Sequence, residues 1–399
     1  MADRKILLEQ LKHHNSFYLY DESVILDSIA RLKSNFPGAQ FLYSMKCNPA
    51  TRVLDTVFSQ GFGTDAASLG EVMASHEHGV PSELIYYSAP GCTEEDLRAA
   101  YGRCVLIADS LNKVETIARI GAEKGEIPEI GVRINPDFTF VSDHGIPVKF
   151  GIDEEALWNA DLSGVKIVGI HVHAKSQELS ADILANYYKN MFALIGRVQE
   201  KLGVELRFAN FGSGLGIPFV EGDQPLDVEY LGEKFQTMHA DCKAAYPNLQ
   251  ILIETGRYTV GRSGTYVMKV VDKKVSYGKT FLLMCNTLNG YSRPAVSLMA
   301  HGFAANPAPY EPLYMAIDDT AYTALTDNTD LETVTIAGSL CTAADTIARD
   351  MTLPRLEIGD GLALSNAGCY ASVMTPMQFA FLKPPAQLFL TADGKVVKT

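Results

Sequence analysis

The chain has 399 residues, a formal net charge of −13 and a pI near 5.2, and 47% of its residues are hydrophobic. This length suits one large domain plus a smaller one, and the acidic balance argues against nucleic acid or an anionic membrane as a partner. The first residues lack the apolar core of a signal peptide, and no run approaches the roughly 20 apolar residues that span a bilayer, so we expect a cytoplasmic protein.

A regular alternation of strand-like and helix-like segments follows an apolar piece, FYLYD (17–21), and a helical pattern over 22–36. Strand-like segments lie at 39–46, 61–66, 83–88, 105–109, 129–135, 166–173, 206–212 and 250–255. Helical patterns between them include 68–79, 93–102, 111–124, 181–203 and 227–245. Eight such repeats are typical of an α/β fold, the (β/α)₈ TIM barrel. A doubly wound sheet is the alternative, but the GxGxxG that opens many such sheets is absent.

The pattern changes after residue 265, where short strand-like pieces separated by Gly, Pro and Asp turns replace the long helices. These pieces are TYVMKVVDKKV, KTFLLMCN, LYMAI, TVTIAG, GLALSN and QLFLTA. They predict a second, β-rich domain of the β-sandwich or β-barrel type, which FYLYD can join. We therefore expect a barrel at 26–262 and a β-rich domain built from 1–25 and 263–399.

Polar residues collect where the predicted barrel strands end. They are Lys46, Asp65, Arg133, His173, the turn Gly212, Ser213 and Gly214, and then Glu254 and Arg257. Active sites of such barrels lie at the carboxyl ends of the strands, so this cluster predicts an active site. Each residue alone also has a structural explanation, such as a helix cap for Asp65 or a core histidine for His173. Their joint occurrence at equivalent strand ends favours the active site.

The residue types in this cluster share one chemistry. Lys46 ends an apolar run, and a desolvated lysine loses its proton more easily, so its amine can form a Schiff base with a carbonyl cofactor. The turn FGSGLGIP lets backbone N–H groups approach a phosphate, which Arg257 can clamp and Ser176 can bind. Glu254 can hold a pyridinium proton, and His173 can stack on a flat ring. Together they match the needs of pyridoxal 5′-phosphate (PLP).

Six motifs resemble, in the same order, those of the fold-type III PLP-dependent decarboxylases, the ornithine/diaminopimelate decarboxylase family. They are YSMKCNP (43–49), GIHVHAKSQ (169–177), FGSGLGIP (211–218), ETGRYTV (254–260), GSLCTAAD (338–345) and AGCYASV (367–373). The resemblance covers nearly the whole chain. It implies an alanine-racemase-like barrel, a PLP cofactor and decarboxylation of an amino acid at its α-carboxylate.

The resemblance also implies a role for each residue. Lys46 would be the Schiff-base lysine, Glu254 would keep the pyridine nitrogen protonated, and His173 would stack on the ring. Asp65 and Arg133 would support these groups. The phosphate would be held by Ser176, Gly212, Ser213, Gly214, Gly216, Gly256, Arg257 and Tyr370. Alanine racemases of the same plan place an arginine against the pyridine nitrogen, so Glu254 favours decarboxylation over racemisation.

Seven cysteines are scattered without CxxC or Cys/His spacing, which predicts neither a disulfide framework nor a metal site. The resemblance gives one of them a chemical role. Cys341 would come from the partner subunit of a homodimer and protonate the substrate carbon after CO₂ leaves. The active site would then be complete only in the dimer.

Departures from the family pattern bear on the substrate. The family cysteine is usually followed by Asp or Glu, which contacts the distal amine of a diamino acid, whereas Thr342 follows here. Without that partner, a distal ammonium in a dry pocket would bind less well by about 2 to 5 kcal/mol. Arg293, in NGYSRPAV, resembles an arginine of diaminopimelate enzymes and can meet a distal carboxylate or carbonyl, or else brace the domain junction. Lys175 replaces a glycine that is usual in the family. Tyr370 is expected to contact the substrate as well as the phosphate.

These observations lead to one main hypothesis and two alternatives. The main hypothesis is decarboxylation of a specialised amino acid without a free distal ammonium, such as a siderophore precursor or an acylated or carrier-protein-tethered amino acid. One alternative is meso-diaminopimelate decarboxylase of lysine biosynthesis with a variant pocket. The other is a PLP-binding homologue without catalysis, against which the presence of Lys46, Glu254 and Cys341 speaks.

Overall fold

The computed structural model describes residues 2–212, 214–303 and 317–399. Helices α1 to α11 span Arg4–Leu11, Glu22–Asn35, Thr51–Ser59, Leu69–Glu77, Glu94–Ala100, Leu111–Lys124, Glu154–Trp158, Ala181–Leu202, Val228–Ala245, Arg257–Val260 and Arg293–Phe303. Strands β1 to β18 span Ser16–Asp21, Gln40–Ser44, Gly63–Ala66, Ile85–Ser88, Val105–Ala108, Glu129–Asn135, Ile152–Asp153, Lys166–His171, Phe208–Asn210, Gln250–Thr255, Gly264–Ser276, Lys279–Met284, Tyr322–Leu325, Leu331–Gly338, Thr346–Pro354, Gly361–Leu364, Ala386–Leu390 and Val396–Lys398. None of the described helices is long and apolar enough to cross a membrane.

Eight of the described strands form a closed parallel barrel. Their order is β2, β3, β4, β5, β6, β8, β9 and β10, and β10 pairs back to β2 through Leu252 opposite Gln40. The short β7 pairs with the end of β6, outside this ring. The barrel predicted from the alternation of strands and helices is confirmed.

The barrel interior contains a layer of tightly packed apolar side chains. The ring of Phe208 packs there with residues from the other strands: Leu42, Tyr86, Ile107, Val168 and Leu252. Two glycines make room for this ring, since a Cβ at Gly169 would lie 2.2 Å from it and a Cβ at Gly131 would lie 2.8 Å from it. The interior at this level is therefore a packed core and not a ligand cavity.

The second domain is a β-rich unit, as predicted. Its described strands form one branched sheet in the order β15, β14, β12, β11, β1, β17 and β18, with β16 pairing both β11 and β13. The N-terminal β1 lies antiparallel to β11 and parallel to β17. The predicted strand LYMAI begins at 313 and lies, except for its last residue, outside the described residues.

Helix α11 was not expected in this β-rich half, because NGYSRPAV has the composition of a turn. Its second residue is Pro294, and proline is tolerated in the first turn of a helix, where the N–H has no helical partner. The helix begins at Arg293, so this start fixes the position of a buried guanidinium described below.

Candidate active site

The barrel interior changes from apolar to polar within two residues of each strand. Inward side chains recur every second residue. The apolar layer comprises Leu42, Gly63, Tyr86, Ile107, Gly131, Gly169, Phe208 and Leu252. Two positions further along, the residues are all polar and all buried: Ser44, Asp65, Ser88, Asp109, Arg133, His171, Asn210 and Glu254. Burying eight polar side chains is unfavourable unless they pair with each other or with a ligand, so this layer marks the floor of the site.

Lys46 lies at the edge of this polar layer. Strand β2 ends at Ser44, and a 3₁₀ turn over Met45–Cys47 carries Lys46. Ser44 lies opposite Asp65 in the sheet, and the Ser44 hydroxyl donates a hydrogen bond of 2.7 Å to Oδ2 of Asp65. The same oxygen forms an ion pair with Nζ of Lys46. Because 41% of the Lys46 side chain is exposed, its amine faces the open end of the barrel.

The expectation that burial makes Lys46 easier to deprotonate is wrong. Burial does lower its pKa, but the charges of Asp65 and Glu254 and the bond to Asp65 act more strongly in the opposite direction. The net effect raises the pKa of Lys46 above its ordinary value. Asp65 therefore holds Lys46 as an ammonium until a ligand changes this environment.

Glu254 is the buried anion of the site. Its Oε1 accepts a hydrogen bond of 2.9 Å from Nδ2 of Asn210 and lies 3.1 Å from Nε2 of His171, while its Oε2 lies 3.5 Å from Nδ1 of His173. Burial raises the pKa of Glu254, but the two histidines outweigh it and bring the pKa well below the ordinary value. Glu254 is therefore a carboxylate, and His173, whose pKa is lowered by burial, lies against its second oxygen.

His171 and Asn210 were missed by the sequence analysis. They lie opposite each other on neighbouring strands, and Arg133 lies opposite His171 on the other side. The spacing of His171 and His173 could have indicated the first of them, since residues two apart share one face of a strand. Asn210 carries no such signal, because its role depends on a contact with a strand 44 residues away in sequence.

Glu254 predicts an acid-dependent part of the stability. A carboxyl with a lowered native pKa contributes stability above its ordinary pKa of 4.5, and this contribution is lost as the pH falls further. For the protein without cofactor, urea unfolding at several values from about pH 6 to about pH 3 should show a smaller loss of unfolding free energy for Glu254→Gln than for the wild type. The exposed Glu155→Gln is the control and should follow the wild type; equal losses in all three proteins would contradict the assignment.

The glycine turn after β9 is too tightly packed to admit side chains. Gly212 has φ 65° and Gly214 has φ 151°, and a Cβ at these residues would lie 2.3 Å from the Val172 carbonyl oxygen and 2.8 Å from Leu184. At Gly216 a Cβ would lie 2.9 Å from the Glu178 oxygen. Ser213 lies outside the described residues. At Gly212, Gly214 and Gly216 the backbone itself faces its neighbours, as in a phosphate-binding turn.

Asn210 connects the glycine turn to Glu254. Its Oδ1 accepts a hydrogen bond of 2.9 Å from the Gly212 N–H, and the Glu254 N–H donates to the Gly212 carbonyl at 2.8 Å. The amide of Asn210 is thus fixed at both ends. The glycine turn and the Glu254 carboxylate are therefore fixed relative to each other, as a cofactor that contacts both would require.

The other predicted phosphate residues meet beside this turn. Nη1 of Arg257 donates to Oε1 of Gln177 at 3.0 Å, and the Arg257 guanidinium lies 5.5 Å from the ring of Tyr370. Ser176 Oγ lies 3.3 Å from Nε2 of His173. Two further contacts join the lysine turn to these residues. A Cβ at Gly256 would lie 3.0 Å from Sγ of Cys47, and the Tyr370 N–H donates to the Cys47 carbonyl at 2.9 Å.

Arg133 is held on the floor of the site. Its Nη1 donates to Oδ2 of Asp109 at 3.4 Å, and its guanidinium lies 4.5 Å from the ring of Phe150. The other oxygen of Asp109 accepts from the Gly151 N–H at 3.2 Å. Arg133 therefore ties the barrel floor to the segment that leads into β7.

Cys341 and Thr342 lie on the turn between β14 and β15 of the β-rich domain. Cys341 is exposed, and none of the hydrogen bonds of the described residues joins its side chain to the barrel. The buried Asp345 shapes this turn by accepting from the N–H groups of Leu288 and Leu340, both at 2.9 Å. Among the described residues, no hydrogen bond or ion pair joins Cys341 to Lys46.

Arg293 lies deep between the two domains. Its Nη2 donates to the Cys369 carbonyl at 2.8 Å, and its guanidinium lies 4.8 Å from the ring of Phe219, which Arg257 also approaches at 5.9 Å. Nε and Nη1 of Arg293 have no hydrogen-bond partner among the described residues. A buried guanidinium with two open donors is suited to an anion or a carbonyl of a ligand.

The sequence matches a known protein family over the whole barrel. The sequence profile described as "Pyridoxal-dependent decarboxylase, pyridoxal binding domain" matches residues 22–261. The chain belongs to this family. It is a PLP-dependent amino-acid decarboxylase, which confirms the resemblance that the six motifs carry.

Similar decarboxylases act on different substrates. The chain is 28% identical to the L-glutamyl-[BtrI acyl-carrier protein] decarboxylase of Niallia circulans, over 93% of this chain and 88% of that protein. It is 30% identical to the diaminopimelate decarboxylase of Methanothermobacter thermautotrophicus, over 95% and 87%. It is 25% identical to the 2-[(L-alanin-3-ylcarbamoyl)methyl]-2-hydroxybutanedioate decarboxylase of Staphylococcus aureus, over 96% and 97%.

A solved decarboxylase structure has the same fold. The diaminopimelate decarboxylase of Helicobacter pylori in complex with L-lysine superposes with a TM-score of 0.82 at 24% identity, covering 99% of this chain and 95% of that one. The barrel with its attached β-rich domain is therefore the architecture of a decarboxylase fold.

The residues at the open end of the barrel fit PLP. The cofactor needs an amine for its aldehyde, an anion for its pyridinium, a face for its ring and donors for its phosphate. Lys46 supplies an amine at the edge of the polar layer that contains the Glu254 carboxylate, and His173 contacts Glu254. The backbone-lined glycine turn lies next to Glu254. The decarboxylase thus has each group that the cofactor requires.

Proposed function

We propose that this decarboxylase removes the α-carboxylate of a specialised amino acid whose distal end is not a free ammonium. A siderophore precursor and an acylated or carrier-protein-tethered amino acid are the two substrate types of this kind. The observation that carries the proposal is Thr342, which follows Cys341 where the family usually has Asp or Glu. Two of the similar decarboxylases, those of Niallia circulans and Staphylococcus aureus, act on substrates of these types.

Each residue of the site receives a role in this proposal. PLP supplies the electron sink that accepts the electron pair left behind when the carboxylate departs as CO₂. Lys46 would hold the cofactor at its aldehyde, Glu254 would keep the ring nitrogen protonated, and His173 would lie against one face of the ring. Asp65 and Arg133 keep these groups in place. The phosphate is held by Ser176, Gly212, Ser213, Gly214, Gly216, Gly256, Arg257 and Tyr370.

Cys341 is proposed to act as the general acid, across a subunit boundary. Its exposure, which leaves the thiol accessible to another subunit, supports a homodimer in which each subunit provides Cys341 to the other. The thiol then delivers the proton that replaces CO₂ on the substrate carbon.

We place the dimer in the cytoplasm, with no nucleic acid or membrane as partner. The proposed domain boundaries are 26–262 for the barrel, with 1–25 and 263–399 forming the other domain.

Arg293, Thr342 and Tyr370 are proposed to contact the substrate. The two open donors of the buried Arg293 suit a distal carboxylate or carbonyl, and these are groups that an acylated or tethered amino acid carries. Thr342 offers a hydroxyl in place of a charge, which fits a neutral amide or thioester. The substrate pocket is therefore proposed to recognise hydrogen-bond acceptors at the distal end of the substrate.

A substrate panel tests this function. Release of CO₂ is measured for free lysine, ornithine and diaminopimelate, for their acylated forms, and for glutamyl groups on a carrier protein. We expect the acylated or tethered forms to have the highest kcat/KM. Preference for free diaminopimelate would instead support meso-diaminopimelate decarboxylase of lysine biosynthesis, the alternative favoured by the 30% identical relative. No CO₂ from any member, with PLP bound, would support a non-catalytic homologue.

Position 342 gives a second test. Thr342→Asp should raise kcat/KM for diamino acids by about 10-fold or more, because it restores an ion partner for a distal ammonium. Thr342→Asn is the matched control, since it has nearly the same shape without the charge. Equal selectivity of the two variants would show that position 342 does not contact the distal end.

A further inference from the structure

Lys175, which replaces a glycine usual in the family, forms an ion pair beside the glycine turn. Its Nζ lies 2.7 Å from Oε2 of Glu178, with 29% of the Lys175 side chain and 9% of the Glu178 side chain exposed. The other oxygen of Glu178 accepts from the N–H groups of Leu179 and Ser180 at 3.0 and 2.9 Å. The Glu178 carboxylate is thus fixed from two sides, three residues before the start of α8.

The backbone of Glu178 is bonded directly to the glycine turn. Its N–H donates to the Gly214 carbonyl at 2.7 Å, and its carbonyl accepts from the Gly216 N–H at 3.0 Å. A shift of Glu178 would therefore move both glycines. The position of the turn depends on the position of Glu178.

Phe140 packs against the same turn from the other side. Nζ of Lys175 lies 5.9 Å from the centre of its ring, and a Cβ at Gly214 would lie 3.0 Å from the ring edge. Lys175 therefore lies beside two groups that contact Gly214: Glu178, which bonds to its carbonyl, and Phe140, which packs against it. It links them by charge on one side and by a cation–π contact on the other.

We propose that Lys175 is a positioning residue for the phosphate turn, acting through Glu178. With Lys175 in place, Glu178 and Phe140 hold Gly214 and Gly216 at the spacing that a phosphate needs. Without Lys175, Oε2 of Glu178 loses its cation. The Glu178 side chain then no longer helps to hold the backbone of Glu178, which makes the two hydrogen bonds to the turn. This inference rests on the proposed role of the glycines in binding the PLP phosphate.

The test separates the phosphate from the rest of the cofactor. Apoenzyme is titrated with PLP and with pyridoxal, which has the same aldehyde and ring but no phosphate, and binding is followed by visible absorption. Lys175→Met should weaken PLP binding about fivefold to tenfold and leave pyridoxal binding within about twofold. Lys175→Arg should restore PLP binding, and Lys279→Met, which breaks the remote exposed pair with Asp350, should change neither affinity. Equal weakening of PLP and pyridoxal would overturn the proposal, because that is the signature of a general structural defect.

A second variant distinguishes positioning from direct contact. If Lys175 acts through Glu178, Glu178→Gln should also weaken PLP binding. If Lys175 binds the phosphate itself, Glu178→Gln frees it and PLP binding stays equal or becomes tighter, which overturns the proposal.

Inorganic phosphate provides a readout that does not depend on Lys46. Phosphate should raise the Tm of the wild-type apoenzyme more than that of Lys175→Met. Equal rises in Tm for the two proteins would count against the positioning role of Lys175, even if the visible absorption band of bound PLP forms normally. Absence of the band in the wild type, with a phosphate shift that depends on Lys175, would count against the proposed function and leave this inference standing.

Discussion

Replacing Lys46 with alanine is expected to abolish covalent cofactor binding and to lower CO₂ release by about 10⁴-fold or more, the scale seen when a covalent catalyst is removed. The fold should survive, because the Ser44 hydroxyl still donates to Asp65. The measurement is the visible absorption band of lysine-bound pyridoxal, combined with borohydride reduction and mass mapping of the labelled lysine.

The matched control for this variant is Lys166→Ala, at the start of β8, where the side chain is 64% exposed and paired with Glu129. It should keep the band and the activity. A band that persists in Lys46→Ala, with the label on another lysine, would show that the cofactor anchor has been misassigned.

Cys341→Ala should lower turnover by about 10²-fold to 10⁴-fold, the usual contribution of a general acid. PLP binding should not change, because the cysteine lies on a turn of the β-rich domain and not on the barrel floor. Stopped-flow measurement of CO₂ release, together with titration of the apoenzyme, separates these two effects. Cys104→Ala is the control and should behave as the wild type.

Mixing inactive subunits tests whether the site is shared. When Lys46→Ala and Cys341→Ala subunits exchange freely, half of the dimers are hybrids and each hybrid has one intact site, so activity should return to about one quarter of the wild-type value. If each chain forms its own complete site, no mixture regains activity. That result would remove the proposed role of the partner subunit.

The sequence predicted the fold and the strand ends because both follow from short-range patterns. The eight barrel strands could be located by their apolar runs, and the polar residues that close them lie in one layer because strand side chains alternate between two faces. Asp65 beside Lys46 and His173 beside Glu254 follow from that geometry. The composition of the second domain was recognisable for the same reason.

The contacts that set protonation could not be predicted from the chain. The raised pKa of Lys46 depends on Asp65, which a neighbouring strand brings to it, and the lowered pKa of Glu254 depends on His171 from a strand that is not adjacent in sequence. A local apolar run predicts only the effect of burial and therefore gave the wrong direction for the pKa shift of Lys46. Helix α11 was missed because a turn-like composition conceals a helix stabilised by tertiary packing.

Strand β1 has a consequence for the order in which the nascent protein matures. Its residues emerge from the ribosome early, yet its partners in β11 and β17 lie about 250 and 370 residues later. Until then the segment Phe17, Tyr18, Leu19 and Tyr20 remains an unpaired apolar edge while the intervening barrel can already form. Translation intermediates of this protein are therefore expected to be substrates for chaperones, and late truncations should aggregate even though the barrel sequence is intact.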